Sequence, residues 1–350
     1  MGALSGDYAY LGQPINNGIE LAVVQANEAG DLACELELYV QDSQGDPNQA
    51  VPLARDLVER ERLVACMCGF FSGETLATGQ IFDRAGVLMA STGSHTVVDD
   101  QGFATWFRTV GNDRDTARSG TRYIKRVLKP RRIALVRDRQ DYARRITRTF
   151  EKHLGWRVED VVVINEYKKN YTHQVESVRD TRADLVLFAG YAPQAVLFLK
   201  QLRAARLDTP FMAANVVIDR LFRGRSERWA RGALSLCECS YPGEVQGAAD
   251  FVAAYRARYD RAPRSYAGDM YDATNLVIEA LSDQTFNDSI ESIRAGVVEH
   301  FDATEDHAGV IKPYTWERDG DLLARGRHAF IFRFRNDRWH MRGSVYDLTR

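Results

Sequence analysis

Short apolar runs alternate with helical patterns along almost all of this 350-residue chain, and that alternation limits the folds open to it. The runs are Leu36–Val40, Leu63–Cys68, Val87–Ala90, Ile133–Val136, Val158–Ile164, Leu185–Phe188, Phe211–Ala213 and Ala233–Cys239. Between them, apolar residues recur at helical spacing over Ile15–Ala29, Thr75–Arg84, Thr116–Leu128, Arg144–Leu154, His173–Thr181 and Pro193–Ala205. Asp46-Pro47 marks a further helix start, with an N-cap acid before a proline at the first helical position. Strands separated by helices of about ten or more residues predict an α/β chain whose parallel sheets carry helices on both faces.

So many units exceed one ordinary open sheet, and the length suits two domains. A break falls near Arg108 to Asp113, where one strand-like run ends and a new series begins. After Tyr241-Pro242-Gly243 come two long helical patterns, Gln246–Tyr259 and Tyr266–Leu281, and a third near Ser289–Glu299. The tail is β-rich around Ala329–Phe334 and Trp339–Met341. Late helices need an earlier sheet to pack on, so each domain is expected to be discontinuous: 1–111 with 243–311, and 112–242 with 312–350.

Two adjacent strand ends carry the chemistry. The run Leu63–Cys68 leads into Phe70-Phe71-Ser72-Gly73, and Val87–Ala90 leads into Ser91-Thr92-Gly93-Ser94-His95. Both loops fall at the carboxyl ends of neighbouring parallel strands, where open α/β sheets bind ligands. Small residues admit a ligand to backbone N–H groups and hydroxyls add donors, so the pair reads as a receptor for a small polar molecule. The sequence has no G-x-S-x-G elbow, no phosphate loop G-x-x-x-x-G-K and no H-E-x-x-H, so it does not read as an enzyme. Asp302, Glu305, Asp306 and His307 lack a regular ligand spacing, and neither a metal nor a cofactor is expected.

The net charge of −2 does not point to nucleic acid or an acidic membrane, and Arg-rich runs such as Arg144-Arg145 and Arg220 to Arg231 read as solvated faces. No window reaches the ~20 apolar residues of a membrane span. MGALSGDYAY has neither a basic nor an apolar signal region, which leaves open a cytosolic chain and the mature form of an exported one. Five cysteines guarantee at least one unpaired thiol in a monomer. Cys66/Cys68 and Cys237/Cys239, each two apart in an apolar run, read as buried thiols acting as small hydrophobes.

Further segments stand in a fixed order along the chain: Gly2-Ala3-Leu4-Ser5-Gly6 with Leu11-Gly12, Asn17 to Ala22, Asp46-Pro47 with Gln49-Ala50-Val51, Gly86 to Met89 and Phe107-Arg108-Thr109. They continue through Ala134 to Asp138 with Tyr142, Gly190-Tyr191-Ala192-Pro193, Pro210-Phe211-Met212 and Tyr271-Asp272-Ala273. In that order and spacing they resemble the leucine/isoleucine/valine-binding family, the type I periplasmic binding proteins. The family has a strand before its Gly-Ala-x-Ser-Gly turn, and this chain opens at the turn.

The resemblance implies two Rossmann-like lobes joined by a three-strand hinge, closing on a ligand. Ser72 matches the hydroxyl that binds a ligand carboxylate, and Gly93 and Ser94 match the pair whose backbone contacts the head group. His95 stands where the family usually has Thr. Tyr142 matches the aromatic of the opposing lobe, and Tyr191 and Asn215 align with positions that address an α-ammonium. Branched-chain amino-acid binders usually have Glu at the position of Asn215, and an amide cannot neutralise an ammonium; Asp113, in the hinge, is the nearby acid that could substitute. The cysteines of the family disulfide align with Gly45 and Phe71. The function implied by the resemblance is that of a solute-binding protein that delivers an amino acid, amide or related carboxylate to an ABC permease, located in the periplasm or outside the cell. The alternative is a cytosolic or receptor-borne sensor of the same fold.

Overall fold

The computed structural model describes residues 1–214, 227–284, 289–323 and 328–350. The chain divides into two compact units: residues 1–112 with 240–323, and residues 113–239 with 324–350. It therefore passes from one unit to the other three times, after 112, 239 and 323.

The first segment runs α1 (Ala9–Ala29), α2 (Pro47–Val58), β1 (Ala65–Met67), α3 (Ser72–Arg84), β2 (Leu88–Ser91) and β3 (Trp106–Arg108). The second runs α4 (Asp113–Tyr123, continued by a π-turn Ile124–Leu128), β4 (Ile133–Arg137), α5 (Asp141–Leu154), β5 (Val158–Val163) and α6 (Thr172–Thr181). It continues through β6 (Leu185–Ala189), α7 (Ala192–Ala204), β7 (Phe211–Ala214), α8 (Glu227–Ala230) and β8 (Leu234–Cys237). The third segment adds α9 (Ala249–Tyr259), α10 (Ala267–Ser282), α11 (Ile290–Asp302), β9 (His307–Ala308) and β10 (Pro313–Tyr314). The tail closes with β11 (Phe330–Arg335), β12 (Arg338–Ser344) and α12 (Val345–Leu348).

In the first unit β1, β2 and β3 form a parallel sheet in that order. One core cluster joins Ile15 and Ile19 of α1 to Leu88, Phe107, Leu276, Val297, Phe301 and Trp316. Residues more than 250 positions apart thus share one interior, as expected when late helices pack on an early sheet. In the second unit seven strands run β12-β11-β8-β7-β6-β4-β5. From β8 to β5 neighbouring strands are parallel, whereas β11 is antiparallel to both β8 and β12. The apolar tail thereby becomes an edge hairpin on a parallel sheet. Its interior is built from Ile133, Leu135, Leu187, Met212, Leu236 and Ile331, with Ala143, Ile146 and Phe150 of α5 packed on them.

Three expectations are corrected. Among the described residues Leu36–Val40 pairs with no strand, and next to it the backbone makes the isolated parallel bridge Gly2 to Asp42, although Leu36 and Leu38 still pack against the core. The expected boundary at 311 falls too early, because residues 312–323 belong with the first unit. Trp316 lies 5.7 Å from Phe107 and 4.9 Å from Phe301, and Asp321 pairs with Arg108. Finally, the cysteine pairs are bonded rather than free: Cys66 with Cys68 and Cys237 with Cys239, leaving Cys34 as the free thiol. Residues two apart on a strand point to one face, which is what brings these sulfurs together.

Candidate functional site

The loops at the ends of β1 and β2 are joined by hydroxyls. Ser91 Oγ donates to the Gly69 carbonyl at 2.9 Å, lies 2.8 Å from Thr75 Oγ1, and accepts the Gly93 N–H at 2.9 Å. Thr92 Oγ1 donates to the Phe70 carbonyl at 3.0 Å. In the opposite sense, Ser72 Oγ accepts the His95 N–H at 3.2 Å. Ser72 is therefore a bridge between the two loops. It is not the N-cap of α3, a position held by Phe71. The helix start is secured instead by the buried Glu74, which accepts from the Phe71 N–H at 3.2 Å and from Ser43 Oγ. Burial pushes the Glu74 carboxyl up, and these two donors restrain it.

Behind the second loop stands Arg108, fully buried at the end of β3. Its guanidinium donates to the carbonyls of Gly93 and His95 and pairs with Asp99. Nε donates to Asp321 at 2.7 Å, and the other Asp321 oxygen accepts from Asn112 Nδ2 at 2.6 Å. A buried guanidinium is tolerable only with its donors satisfied, and two carboxylates and two carbonyls do that here. The arrangement also orients the loop. In a trans peptide the N–H lies opposite the preceding carbonyl, so Arg108 on the Gly93 carbonyl turns the Ser94 N–H the other way. Ser94 and His95 are both buried, and His95 Nδ1 accepts the Val97 N–H at 2.7 Å.

In the second unit the strand ends gather a different set. Tyr142, on α5, donates its hydroxyl to the Ala214 carbonyl at 3.2 Å, and its ring centroid lies 5.9 Å from that of Tyr191. Tyr191 is the last residue before α7. Beside them Asp138, just past β4 and fully buried, accepts the Gln140 N–H at 2.9 Å; burial pushes its carboxyl up to about 6. Asp113 is buried at the start of α4.

The structure thus brings Ser72, Gly93, Ser94 and His95 together in the first unit and Tyr142 with Tyr191 in the second. Asn215 lies outside the described residues. Residue types at strand ends do not reveal Arg108, Thr75 or Asp138. Arg108 and Thr75 fit a strand and a helix stripe, and Asp138 lies in a matched segment with no role attached to it.

Comparisons with known proteins agree with this architecture. The pattern of the periplasmic binding protein family matches residues 1–326. The Leu/Ile/Val-binding protein of Escherichia coli K12 is 27% identical over 354 residues, spanning 99% of this chain and 91% of its own. An amino acid binding protein of Pseudomonas aeruginosa is 29% identical over 228 residues, 63% of this chain and 60% of that protein. Among solved structures, a branched-chain amino acid transporter substrate-binding protein from Streptococcus pneumoniae, in complex with isoleucine, superimposes with a TM-score of 0.83 at 20% identity, covering 97% of this chain and 96% of that one. A solute-binding protein from R. palustris in complex with benzoate gives 0.82 at 17% identity, covering 98% and 94%. The fold is that of the type I periplasmic binding proteins, with two lobes. With a family match over nearly its whole length, the chain belongs to the periplasmic binding protein family.

Proposed function

We propose that this protein is a solute-binding protein that captures a small carboxylate-bearing ligand and hands it to an ABC importer in the periplasm or at the cell surface. One observation carries the reading. The hydroxyl-linked loops 69–73 and 91–95 stand beside the N-terminus of α3, with the Ser94 N–H turned away from Arg108. Backbone donors at strand ends beside a helix start favour an anionic group. Ser72, through its hydroxyl hydrogen, and Ser94, through its N–H, then address the carboxylate beside Gly93 and His95, whose own N–H groups go to Ser91 and Ser72. Tyr142 and Tyr191 form a second set of contacts, with Asn215 and Asp113 as polar candidates. The names of the relatives support an amino acid as ligand, and the benzoate-bound neighbour keeps other carboxylates in view. The two bonded cysteine pairs support an oxidising compartment over the cytosol.

The test is isothermal titration of the protein, stripped of any co-purifying ligand, against amino acids, their amides, short carboxylates and aromatic carboxylates. A carboxylate that binds while its amide binds more weakly supports the reading. No binding by any carboxylate removes it.

A further inference from the structure

The near-neutral chain conceals a sharp division of charge. Residues 1–112 and 240–323 carry 31 Asp and Glu against 12 Lys and Arg, whereas residues 113–239 and 324–350 carry 17 against 34. The first unit therefore has a net charge of −19 and the second of +17, and the whole-chain value of −2 is their sum. In the second unit many of the cations share one surface. Helices α4 and α5 both bury their apolar sides in the same cluster, through Ala117 and through Ala143, Ile146 and Phe150. Gly120 makes that approach possible, because a Cβ there would sit 2.4 Å from Leu236 and 3.1 Å from Phe150.

The opposite sides of these helices are ladders of positive charge. Arg118, Arg122 and Arg126 follow one another at four-residue steps, as do Arg144, Arg148 and Lys152, and all six are exposed. Like charges one turn apart destabilise a helix. Among the described residues, Asp115 lies 3.6 Å from Arg118, and Arg126 donates to the Thr349 carbonyl at 2.7 Å. Arg137 is held below the ordinary arginine value by burial first and by Arg144 next; Asp138 and Glu151 oppose the shift and Arg148 adds to it.

We propose that this α4–α5 face is a docking surface for a protein whose complementary face carries clustered carboxylates. Guanidinium groups take carboxylates as paired, two-pronged hydrogen bonds, and packed helices hold the rows in fixed register. No aromatic side chain stands in the rows to stack on the bases of a nucleic acid. Among the described residues, the large apolar side chains exposed at the C-terminal ends of these two helices are Val127 and Trp156, too few to anchor the face in a bilayer. This inference needs no bound ligand and stands apart from the solute-binding reading.

The test uses the full chain and fluorescein-labelled 20-residue poly-L-glutamate, followed by anisotropy in 20 mM and 300 mM NaCl. Two variants of equal charge change are compared: Arg118→Gln/Arg122→Gln/Arg145→Gln/Arg148→Gln on the face, and Lys168→Gln/Lys169→Gln/Arg182→Gln/Arg206→Gln elsewhere on the second unit, all exposed positions. The face variant should lose at least tenfold in affinity at low salt, and the control should stay within threefold of the parent. Replacing the four face arginines by lysine instead should restore the charge-dependent part of the loss but not all of it, which separates charge from folding and from the two-pronged geometry. Absence of binding at 20 mM NaCl, or equal losses in the two variants, overturns the inference. So does tighter binding to vesicles containing phosphatidylglycerol, tighter binding to single-stranded DNA, or salt-sensitive self-association that the face variant abolishes.

Discussion

Gly93 has no room for a side chain. A Cβ would lie 2.6 Å from Thr75 Oγ1, 3.1 Å from Ser91 Oγ and 3.2 Å from the Ser72 Cα, so any other residue prises the two loops apart. Gly93→Ala is expected to destabilise the first unit by about 1–3 kcal/mol, the usual cost of forcing atoms into a packed site, with urea denaturation as the measurement. Ser72→Ala should cost about 1 kcal/mol of stability, because the His95 N–H loses its acceptor, and should weaken a carboxylate ligand by about 1–3 kcal/mol, read by titration. Unchanged affinity would remove Ser72 from the site. Glycine and serine at a strand end announce themselves by type alone, which is why these positions were legible in the sequence. Arg108 was not, because its partner Asp321 lies 213 residues further on and only the folded chain brings them together.

At the scale of elements, most strands and helices follow from apolar periodicity, and the exceptions follow from pairing. Leu36–Val40 has the composition of a strand but, among the described residues, no ladder partner, and periodicity cannot supply one. The run 312–323 has no periodic signal, yet Trp316 and Asp321 anchor it to the first unit. Just before it, the loop carrying Val310 and Ile311 is held to α10 by Asp272, which accepts both of their N–H groups, at 2.8 and 3.1 Å, and the Tyr314 hydroxyl at 3.1 Å. Burial pushes the Asp272 carboxyl up to about 7, and neighbouring Asp269 adds to this while the two N–H groups and Lys312 oppose it. The folded value lies above the ordinary 3.8, so the proton favours the folded state. This contribution is intact below about pH 4 and is lost as pH rises through about 7. Against Asp272→Asn, the parent should lose ~1.4 kcal/mol of stability per pH unit across that window. Urea midpoints at pH 5 and pH 8 check this, and a parent–variant difference that does not change with pH refutes it.

For the whole molecule, the division into two discontinuous units was foreseeable, because long late helices need a sheet already laid down. Its charge division was hidden by a composition that averages to near zero. The bonded cysteines give a direct count: the unfolded, unreduced protein should show one titratable thiol, Cys34, and five thiols would remove both bridges. Discontinuity itself makes a prediction. A chain ending at residue 239 lacks α10, α11 and Trp316, so residues 1–112 should be digested by protease far faster than in the full chain. The same feature sets a schedule during synthesis. At roughly 5–20 residues per second, the ribosome takes on the order of 10–40 s between releasing the first part of that unit and releasing its last. Through that interval Ile15, Leu88 and Phe107 lack most of their core, and the first 112 residues of the nascent chain stay open to whatever machinery handles extended polypeptide.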